Sequence, residues 1–243
     1  MKNAIVSLLA VLFGLIAGAL LMAVTGSNPV TGYTYLFEGG LKSVERIGNT
    51  LATATPLIFT GLSVAFAFRT GLFNIGASGQ MLFGGFCATF VGLTLDLPKA
   101  ILVPVVIVVG FVAGALWAFL PGLLKAKFNV HEVVSTIMLN WTAYWVVYNV
   151  VPAYLKGSYE TESRPLPANA QLRMGWLSDL FGGSYINLGI FLGVLAVIAI
   201  AFIIDRTTLG YEMKAVGFNR HAAEFAGMAV GRNIVLAMVI SGG

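Results

Sequence analysis

Amides and hydroxyls within apolar segments are the residues of this sequence best suited to chemistry. The stretch 73–80 reads FNIGASGQ and places Asn74, Ser78 and Gln80 beside two glycines at the start of an apolar run. Such groups would lack partners in lipid, so they are expected to face protein or a watery cavity. A broken helix start that lines a pathway fits this pattern, and amides that only join helices to one another fit it equally well.

A second polar stripe lies farther along the chain. Asn140 follows Thr136 by four residues, which puts both on one face of a helix, and Trp141 comes next. The amides could hydrogen-bond a passing hydroxylated solute, and the indole could offer its face to a ring. The predicted substrate pathway therefore comprises Asn74, Ser78, Gln80, Thr136, Asn140 and Trp141.

The distribution of ionisable residues disfavours several other kinds of site. No predicted span has a charged residue near its centre, and both histidines, His131 and His221, fall in predicted loops. Proton relays, metal sites and redox cofactors within a membrane need such side chains at depth, so neither a metal nor a cofactor is expected. The sequence contains no Walker A pattern, so ATP-driven work would need a separate subunit. No catalytic residue is assigned, and an enzyme is disfavoured.

The composition is that of an integral membrane protein. Of the 243 residues, 58% are hydrophobic and only 10% are charged, against about 25% charged residues in a soluble domain. In a membrane protein, the net charge of +4 reflects basic cytoplasmic loops rather than a nucleic-acid partner. The lone cysteine, Cys87, excludes an intrachain disulfide.

The spacing of the charges predicts the elements that carry these residues. Crossing the hydrocarbon core takes about 20 apolar residues. Charge-free runs therefore predict spans at about 4–24, 50–68, 72–95, 100–120, 132–151 and 186–204, with the start of a seventh at 233–243. The prediction is an all-α polytopic bundle forming one domain over 1–243. Because the last run is too short to cross, the sequence is expected to be C-terminally truncated.

The loops between the predicted spans give an orientation. With a cytoplasmic N-terminus, the inside loops collect eight Lys and Arg residues and the outside loops six, in weak agreement with the positive-inside rule. The long outside loop 152–185, with its prolines and Trp176, is predicted to form an ordered cap or an interfacial helix. In the inside loop 205–232, Asn219 could cap a short helix that Gly227 ends.

Three sequence blocks carry a family resemblance. They are residues 68–80, residues 125–140 (KAKFNVHEVVSTIMLN) and residues 206–227 (RTTLGYEMKAVGFNRHAAEFAG), in that order. Together they resemble the nucleoside and simple-sugar branch of ABC importer permeases, and the middle block is most similar to permeases of purine-nucleoside importers. Members of this branch often carry an acid where this chain has Ser78, so no carboxylate role is transferred to that position.

The resemblance implies a type II-like importer permease in a bacterial cell membrane, which translocates a nucleoside or simple sugar. It also implies a second permease subunit, identical or paralogous, two cytoplasmic ABC ATPase subunits and an extracytoplasmic substrate-binding lipoprotein. An ion-gradient-driven secondary transporter is the alternative, disfavoured by the absence of acids at mid-membrane. A membrane scaffold without transport activity is a third possibility.

The resemblance also favours a role for the predicted short helix and its flanks. Aromatic side chains buried at a protein interface can anchor it while charges at its rim select the partner, and this segment mixes Phe218 and Phe225 with Arg220 and Glu224. The predicted ATPase coupling loop comprises Gly217, Phe218, Asn219, Arg220, His221, Ala222, Ala223, Glu224, Phe225, Ala226 and Gly227. The competing interpretation is a solvated loop whose basic residues only fix the topology.

Overall fold

The chain folds as an all-α protein, as predicted. The structure is a computed structural model that describes residues 2–159 and 162–243. The helices are α1 (Lys2–Val24), α2 (Pro29–Leu41), α3 (Val44–Arg69), α4 (Ala77–Thr94), α5 (Lys99–Phe128), α6 (Glu132–Tyr154), α7 (Gly175–Leu180), α8 (Gly189–Arg206), α9 (Thr208–Phe218), α10 (Arg220–Phe225) and α11 (Val230–Gly242). A short 3-10 turn covers Ala168–Ala170, and Lys156 pairs with Ser163 in an isolated antiparallel bridge.

The chain divides into two compact units, and the prediction of one domain over 1–243 stays a prediction. The first unit comprises residues 1–53 and 175–186, and the second residues 54–174 and 187–243. In the first unit, Asn28 caps α2 by accepting a hydrogen bond from the Val30 N–H at 2.9 Å. The Tyr33 hydroxyl joins α2 to α1 by donating to the carbonyl of Leu15.

Small residues bring three helices of the second unit close together. A side chain at Gly84 of α4 would lie 2.8 Å from the carbonyl oxygen of Gly110 in α5. Gly114 of α5 faces the carbonyl of Gly242 in α11 in the same way, and Gly122 faces Met238. Glycine at such positions permits the close helix approach that is common in membrane bundles.

A helix lies within each predicted span, and the helices differ in apolar length. Among the described residues, α3, α5 and α8 are long and apolar enough to cross a membrane. The segment Leu8–Val24 and helix α11 are shorter apolar helices. Helices α4 and α6 are not among the three.

Helix α3 begins at Val44, before the predicted span start at 50, and two further helix ends differ from the predicted span ends for local reasons. Helix α4 begins at Ala77 rather than 72, because residues 70–76 form a turn. Helix α5 continues from 120 to Phe128, where Asn129 ends it in the left-handed conformation at φ 52°. Across this end, the Lys125 ammonium pairs with the Glu132 carboxylate at 2.9 Å.

Two helices lie in segments that were predicted as loops. Helix α2 has a start signal in Asn28 followed by a proline at the first helical position. Helix α9 is capped by Thr207, whose hydroxyl accepts from the Gly210 N–H at 3.2 Å. The predicted outside loop 152–185 contains the 3-10 turn and α7, and it includes 160–161, which lie outside the described residues.

Candidate functional site

The site is built on the turn between α3 and α4. At the end of α3, the Leu72 N–H donates to the Ala67 carbonyl at 3.1 Å, and the Gly71 N–H donates to the Phe68 carbonyl at 3.1 Å. This pair of bonds is a Schellman motif, and Gly71 has the positive φ of 68° that the motif requires. Leu72 is fully buried beneath the turn. The chain therefore leaves α3 in a fixed direction that carries Asn74 inward.

Asn74 is the centre of a buried hydrogen-bond network. Its side chain is only 1% exposed. The amide nitrogen donates to Ser241 Oγ at 2.7 Å, Gln80 Oε1 at 3.0 Å and Ser63 Oγ at 3.3 Å. The amide oxygen accepts from the Gly76 N–H at 2.9 Å and from Gln80 Nε2 at 3.2 Å. The network joins α3, α4 and α11 around this one side chain.

Asn140 clasps the same turn from the opposite helix. Its amide oxygen accepts from the Gly79 N–H at 3.0 Å, and its amide nitrogen donates to the Ile75 carbonyl at 3.0 Å. A side chain at Gly79 would lie 2.8 Å from the Asn140 Cα, so only glycine lets α6 approach this closely. The clasp holds the start of α4 against α6.

An apolar groove opens beside the network. It has a volume of about 440 Å³ and is lined by α3 and by the turn and first residues of α4: Pro56, Leu57, Thr60, Val64, Phe73, Asn74, Ile75, Ala77, Ser78 and Met81. Ser78 is exposed there, whereas Asn74 contributes from its buried position. The groove thus combines an apolar wall with an exposed hydroxyl near the amides.

Trp141 lies outside the network, on an aromatic face of α6. Its side chain is 60% exposed, and its ring meets Tyr144 edge-on with centroids 6.0 Å apart. Trp145 and Tyr148 continue this face, and both are exposed. Two tyrosine hydroxyls at such positions are costly against lipid tails, which favours a wet or protein-covered face.

The structure brings some of the predicted pathway residues together and leaves others apart. Asn74, Gln80 and Asn140 meet through the α3–α4 turn. Thr136 is buried and packs against Gly76 beside these amides, while its hydroxyl donates to the Glu132 carbonyl of its own helix at 2.8 Å. Ser78 and Trp141 lie outside the network. Sequence reasoning missed Ser63 and Ser241, because serines in apolar helices usually bond to their own backbone and their spacing carries no signal.

The predicted short helix exists with the predicted end signals. The Asn219 side chain accepts from the Ala222 N–H at 3.1 Å at the start of α10. At its end, the Met228 N–H donates to the Ala223 carbonyl at 3.0 Å, and Gly227 has a φ of 81°. The flanking aromatic rings are almost fully exposed, 92% for Phe218 and 94% for Phe225. Two exposed rings therefore lie at the two ends of the segment that carries α10.

Comparison with known proteins assigns this arrangement to a family. Residues 46–243 match the family described as branched-chain amino acid transport system / permease component. The chain belongs to this family. The permease is 42% identical over 242 residues to the guanosine ABC transporter permease protein NupP of Bacillus subtilis, covering 100% of this chain and 69% of the relative.

Two further relatives extend the comparison. The nucleoside ABC transporter permease protein NupB of Lactococcus lactis is 38% identical over 247 residues, which cover 99% of the permease and 68% of the relative. The glucose ABC transporter permease protein TsgB13 of Haloferax volcanii is 33% identical over 230 residues, with coverages of 91% and 60%. No solved structure matches the permease. Its role is that of a transport component rather than an enzyme.

Proposed function

We propose that this permease is the membrane subunit of an ATP-driven importer that carries nucleosides across a bacterial cell membrane. The observation that carries the proposal is the 42% identity to a guanosine permease over 100% of the chain. The second nucleoside permease, at 38% identity over 99% of the chain, supports the same solute class. A simple sugar is the second candidate, favoured by the 33% identity to a glucose permease.

The substrate pathway runs along the groove and the aromatic face of α6 in this proposal. Asn74, Gln80 and Asn140 position the α3–α4 turn, and Ser78 offers a hydroxyl at the groove surface. Trp141 presents an exposed indole to a purine or sugar ring. Thr136 supports the same stretch of α6 from its buried position. Weak contacts of this kind suit a pathway, since a transported solute must leave each site that it enters.

The coupling segment in this proposal is Gly217–Gly227, which docks into an ATPase subunit. Support comes from the bare rings of Phe218 and Phe225 and from the rigid α10 between them. Arg220, His221 and Glu224 lie between the rings, where charge could select the partner. The same assignment makes the N-terminus cytoplasmic in this proposal, because six predicted spans separate it from α10 and α10 lies on the side of the membrane that the ATPase occupies.

The full importer comprises four subunits and a binding protein in this proposal. Two permease subunits, identical or paralogous, form one domain each in the bilayer. Two ATPase subunits supply the energy, and an extracytoplasmic lipoprotein delivers the solute. The permease itself holds no cofactor and binds no nucleic acid.

Energised uptake tests the proposal directly. The permease would be produced with its ATPase, partner permease and binding protein in cells that lack nucleoside uptake. Labelled guanosine should accumulate, and excess unlabelled guanosine should compete while glucose should not. Uptake should be lost when the Walker lysine of the ATPase is replaced. It should persist after the proton and sodium gradients are collapsed.

Each of the other possible results would assign the permease a different function. Competition by glucose but not by nucleosides would replace the substrate by a sugar. Uptake that stops with the ion gradients and survives the ATPase variant would make the permease a secondary transporter. A membrane complex without uptake of either solute would leave only a scaffold role.

A further inference from the structure

Helices α3 and α8 of the second unit pack side by side and run in the same direction. A side chain at Gly189 of α8 would lie 3.2 Å from the methyl group of Thr55 in α3. One turn later, a side chain at Gly193 would lie 3.6 Å from Ile58, which is also one turn later in α3. Contacts that advance together along both helices require a parallel pair. The last turns of α3 and α8 therefore reach the same side of the bundle.

The two helices end in a cluster of basic side chains. Arg69 is the last residue of α3 and Arg206 the last of α8, and both are exposed. Both lie close enough to act electrostatically on the Asp205 carboxylate, but the Lys214 ammonium occupies that carboxylate at 2.7 Å. Within the described part of the chain, neither guanidinium forms an ion pair or a hydrogen bond. Two positive charges are therefore left without a compensating partner.

The position of these two guanidinium groups suits a phosphate. Helices α3 and α8 are both long and apolar enough to cross a membrane. A basic residue in the last turn of such a helix lies at the level of the lipid headgroups. A guanidinium stays charged there, and its planar fork matches the oxygens of a phosphate. The chemistry that the cluster would bind is thus a phosphate group at the membrane surface.

An apolar stripe on α8 leads to the same place. Leu195, Ile198 and Phe202 are 62%, 60% and 61% exposed, and steps of three and four residues put them on one helix face with Arg206. From 195 to 206 the stripe is about 16 Å long at 1.5 Å per residue. One leaflet is about 15 Å thick, half of the hydrocarbon core. The stripe therefore has the length of one acyl chain, with the arginine at its headgroup end.

We infer that the ends of α3 and α8 bind an anionic phospholipid, with its phosphate at Arg69 and Arg206 and an acyl chain along the stripe of α8. We call this place the lipid site. A zwitterionic lipid also has a phosphate, but its ammonium group would meet the same two uncompensated cations. The site should therefore prefer a headgroup that has no positive charge. The inference does not depend on which solute the permease carries.

Binding of single lipids to the assembled transporter tests the site. The delipidated transporter in detergent would be titrated with phosphatidylglycerol or phosphatidylcholine, and native mass spectrometry would count the lipids bound. The first phosphatidylglycerol should bind more tightly than the first phosphatidylcholine. Each arginine near a membrane surface favours an anionic lipid about fivefold, so Arg69→Gln with Arg206→Gln should raise the dissociation constant for phosphatidylglycerol about tenfold or more.

A second pair of cations provides the matched control. Lys127 lies in the last turn of α5 and Arg232 in the first turn of α11, and both are exposed. Lys127→Gln with Arg232→Gln removes the same charge and should leave the dissociation constant within about twofold, because attraction to the general surface charge is weak compared with the site.

Two further measurements separate a lipid from a soluble phosphate. Glycerophosphoglycerol, which is the same headgroup without acyl chains, should not displace phosphatidylglycerol. Phe202→Ala removes part of the stripe without changing a charge and should weaken phosphatidylglycerol binding about threefold. Phe37→Ala is its control, because that ring on α2 is equally exposed at 61% and should have no effect. The phenylalanine pair tests the site even if the arginine variant assembles poorly.

Several results would overturn the inference. One is equal affinity of the unaltered transporter for the two lipids. Another is an equal loss of affinity in the two double variants, which would mean that only the overall basic surface attracts the lipid. Displacement by glycerophosphoglycerol would make the cluster a site for soluble phosphates, and equal affinities of Phe202→Ala and Phe37→Ala would remove the acyl chain from the stripe. None of these measurements involves transport, so the proposed function stands or fails separately.

Discussion

At the scale of single residues, Asn74 shows how one buried amide can organise three helices. Its five hydrogen bonds reach side chains of α3, α4 and α11 and the backbone N–H of Gly76 in the turn. Each of these hydrogen bonds adds little net stability by itself. Removing the Asn74 side chain would cost more, because it would leave several buried donors and acceptors without partners. Transport and stability effects at Asn74 must therefore be measured separately.

Removing the Asn74 amide should destabilise the permease. In Asn74→Ala, the Gly76 N–H and the Gln80 amide lose buried partners, and we expect a loss of about 3 kcal/mol in the free energy of unfolding. Thermal melting of the assembled transporter would measure the change. Asn149→Ala is the matched control, because that exposed amide donates only to the Trp145 carbonyl of its own helix. Equal melting temperatures for the two variants would contradict the importance of the network.

Ser78 permits a test of the groove that leaves the network intact. Ser78→Phe would place a ring in the groove of about 440 Å³ without removing any bond of Asn74 or Gln80. Guanosine uptake should fall about tenfold while the amount of assembled transporter stays normal, because the pathway narrows. Leu116→Phe adds a ring at an exposed position of α5 and should leave uptake unchanged. Normal uptake in Ser78→Phe would show that the groove is not part of the pathway.

At the scale of helices, the contact between α4 and α6 depends on a glycine. Gly79→Ala would bring a methyl to 2.8 Å from the Asn140 Cα, which forces the helices apart. Gly85→Ala in the same helix meets nothing within 4 Å. Alanine should therefore stabilise at position 85 by about 0.5 kcal/mol through helix propensity and destabilise at position 79 by about 2 kcal/mol through overpacking. Melting curves of both variants would contradict this account if the two changes had the same sign.

The ion pair between the ends of α5 and α6 should matter when only one partner is removed. The Lys125 and Glu132 side chains are 11% and 10% exposed. Glu132→Gln leaves an uncompensated ammonium and should cost about 3 kcal/mol of stability, whereas Lys125→Met with Glu132→Gln should cost less than either single change. A double-mutant cycle by chemical or thermal unfolding measures the difference. Additive costs would mean that the pair is effectively solvated.

The sequence is informative about helices and less so about where they begin and turn. Charge-free runs predict the apolar helices because a charge is costly in lipid, and Asn219 and Gly227 predict α10 because cap signals are local. The late start of α4 was missed because the Schellman turn at Gly71 looks like part of an apolar run. Helices α2 and α9 were missed because they lie in segments outside the predicted spans.

The candidate site was predictable only in part, for the same physical reason. Asn74, Gln80 and Asn140 stand out because amides are unexpected in apolar runs. Ser63 and Ser241 are 178 positions apart and carry no local signal, yet their hydroxyls lie 2.9 Å from each other. Partners that only the tertiary fold brings together cannot be inferred from spacing along the chain.

At the scale of the whole molecule, substitutions in the coupling segment should impair ATP-driven transport and leave the amount of permease in the membrane near normal. Phe225→Ala changes no charge, so the membrane topology should persist, but the loss of an anchoring ring typically costs about 2 kcal/mol or more of association energy. Uptake and substrate-stimulated ATP hydrolysis should fall together, with permease levels near normal. Phe218→Ala should behave likewise.

An exposed ring elsewhere serves as the control for this prediction. Phe191→Ala removes the same kind of side chain, an exposed phenylalanine ring, from the apolar helix α8. It should leave ATP hydrolysis and uptake coupled. If Phe218→Ala and Phe225→Ala couple hydrolysis to uptake as well as the parent does, residues 217–227 are not the ATPase contact.

The bare rings beside α10 also bear on how a cell handles this subunit before assembly. In the described structure, the Phe218 and Phe225 rings are 92% and 94% exposed beside α10. An unassembled copy therefore exposes two aromatic side chains outside the apolar spans. Such a surface invites self-association and recognition by proteases that survey exposed apolar residues. Production of the permease without its ATPase should therefore give low yields and short lifetimes, and synthesis of both subunits from one message would protect each new copy as it emerges.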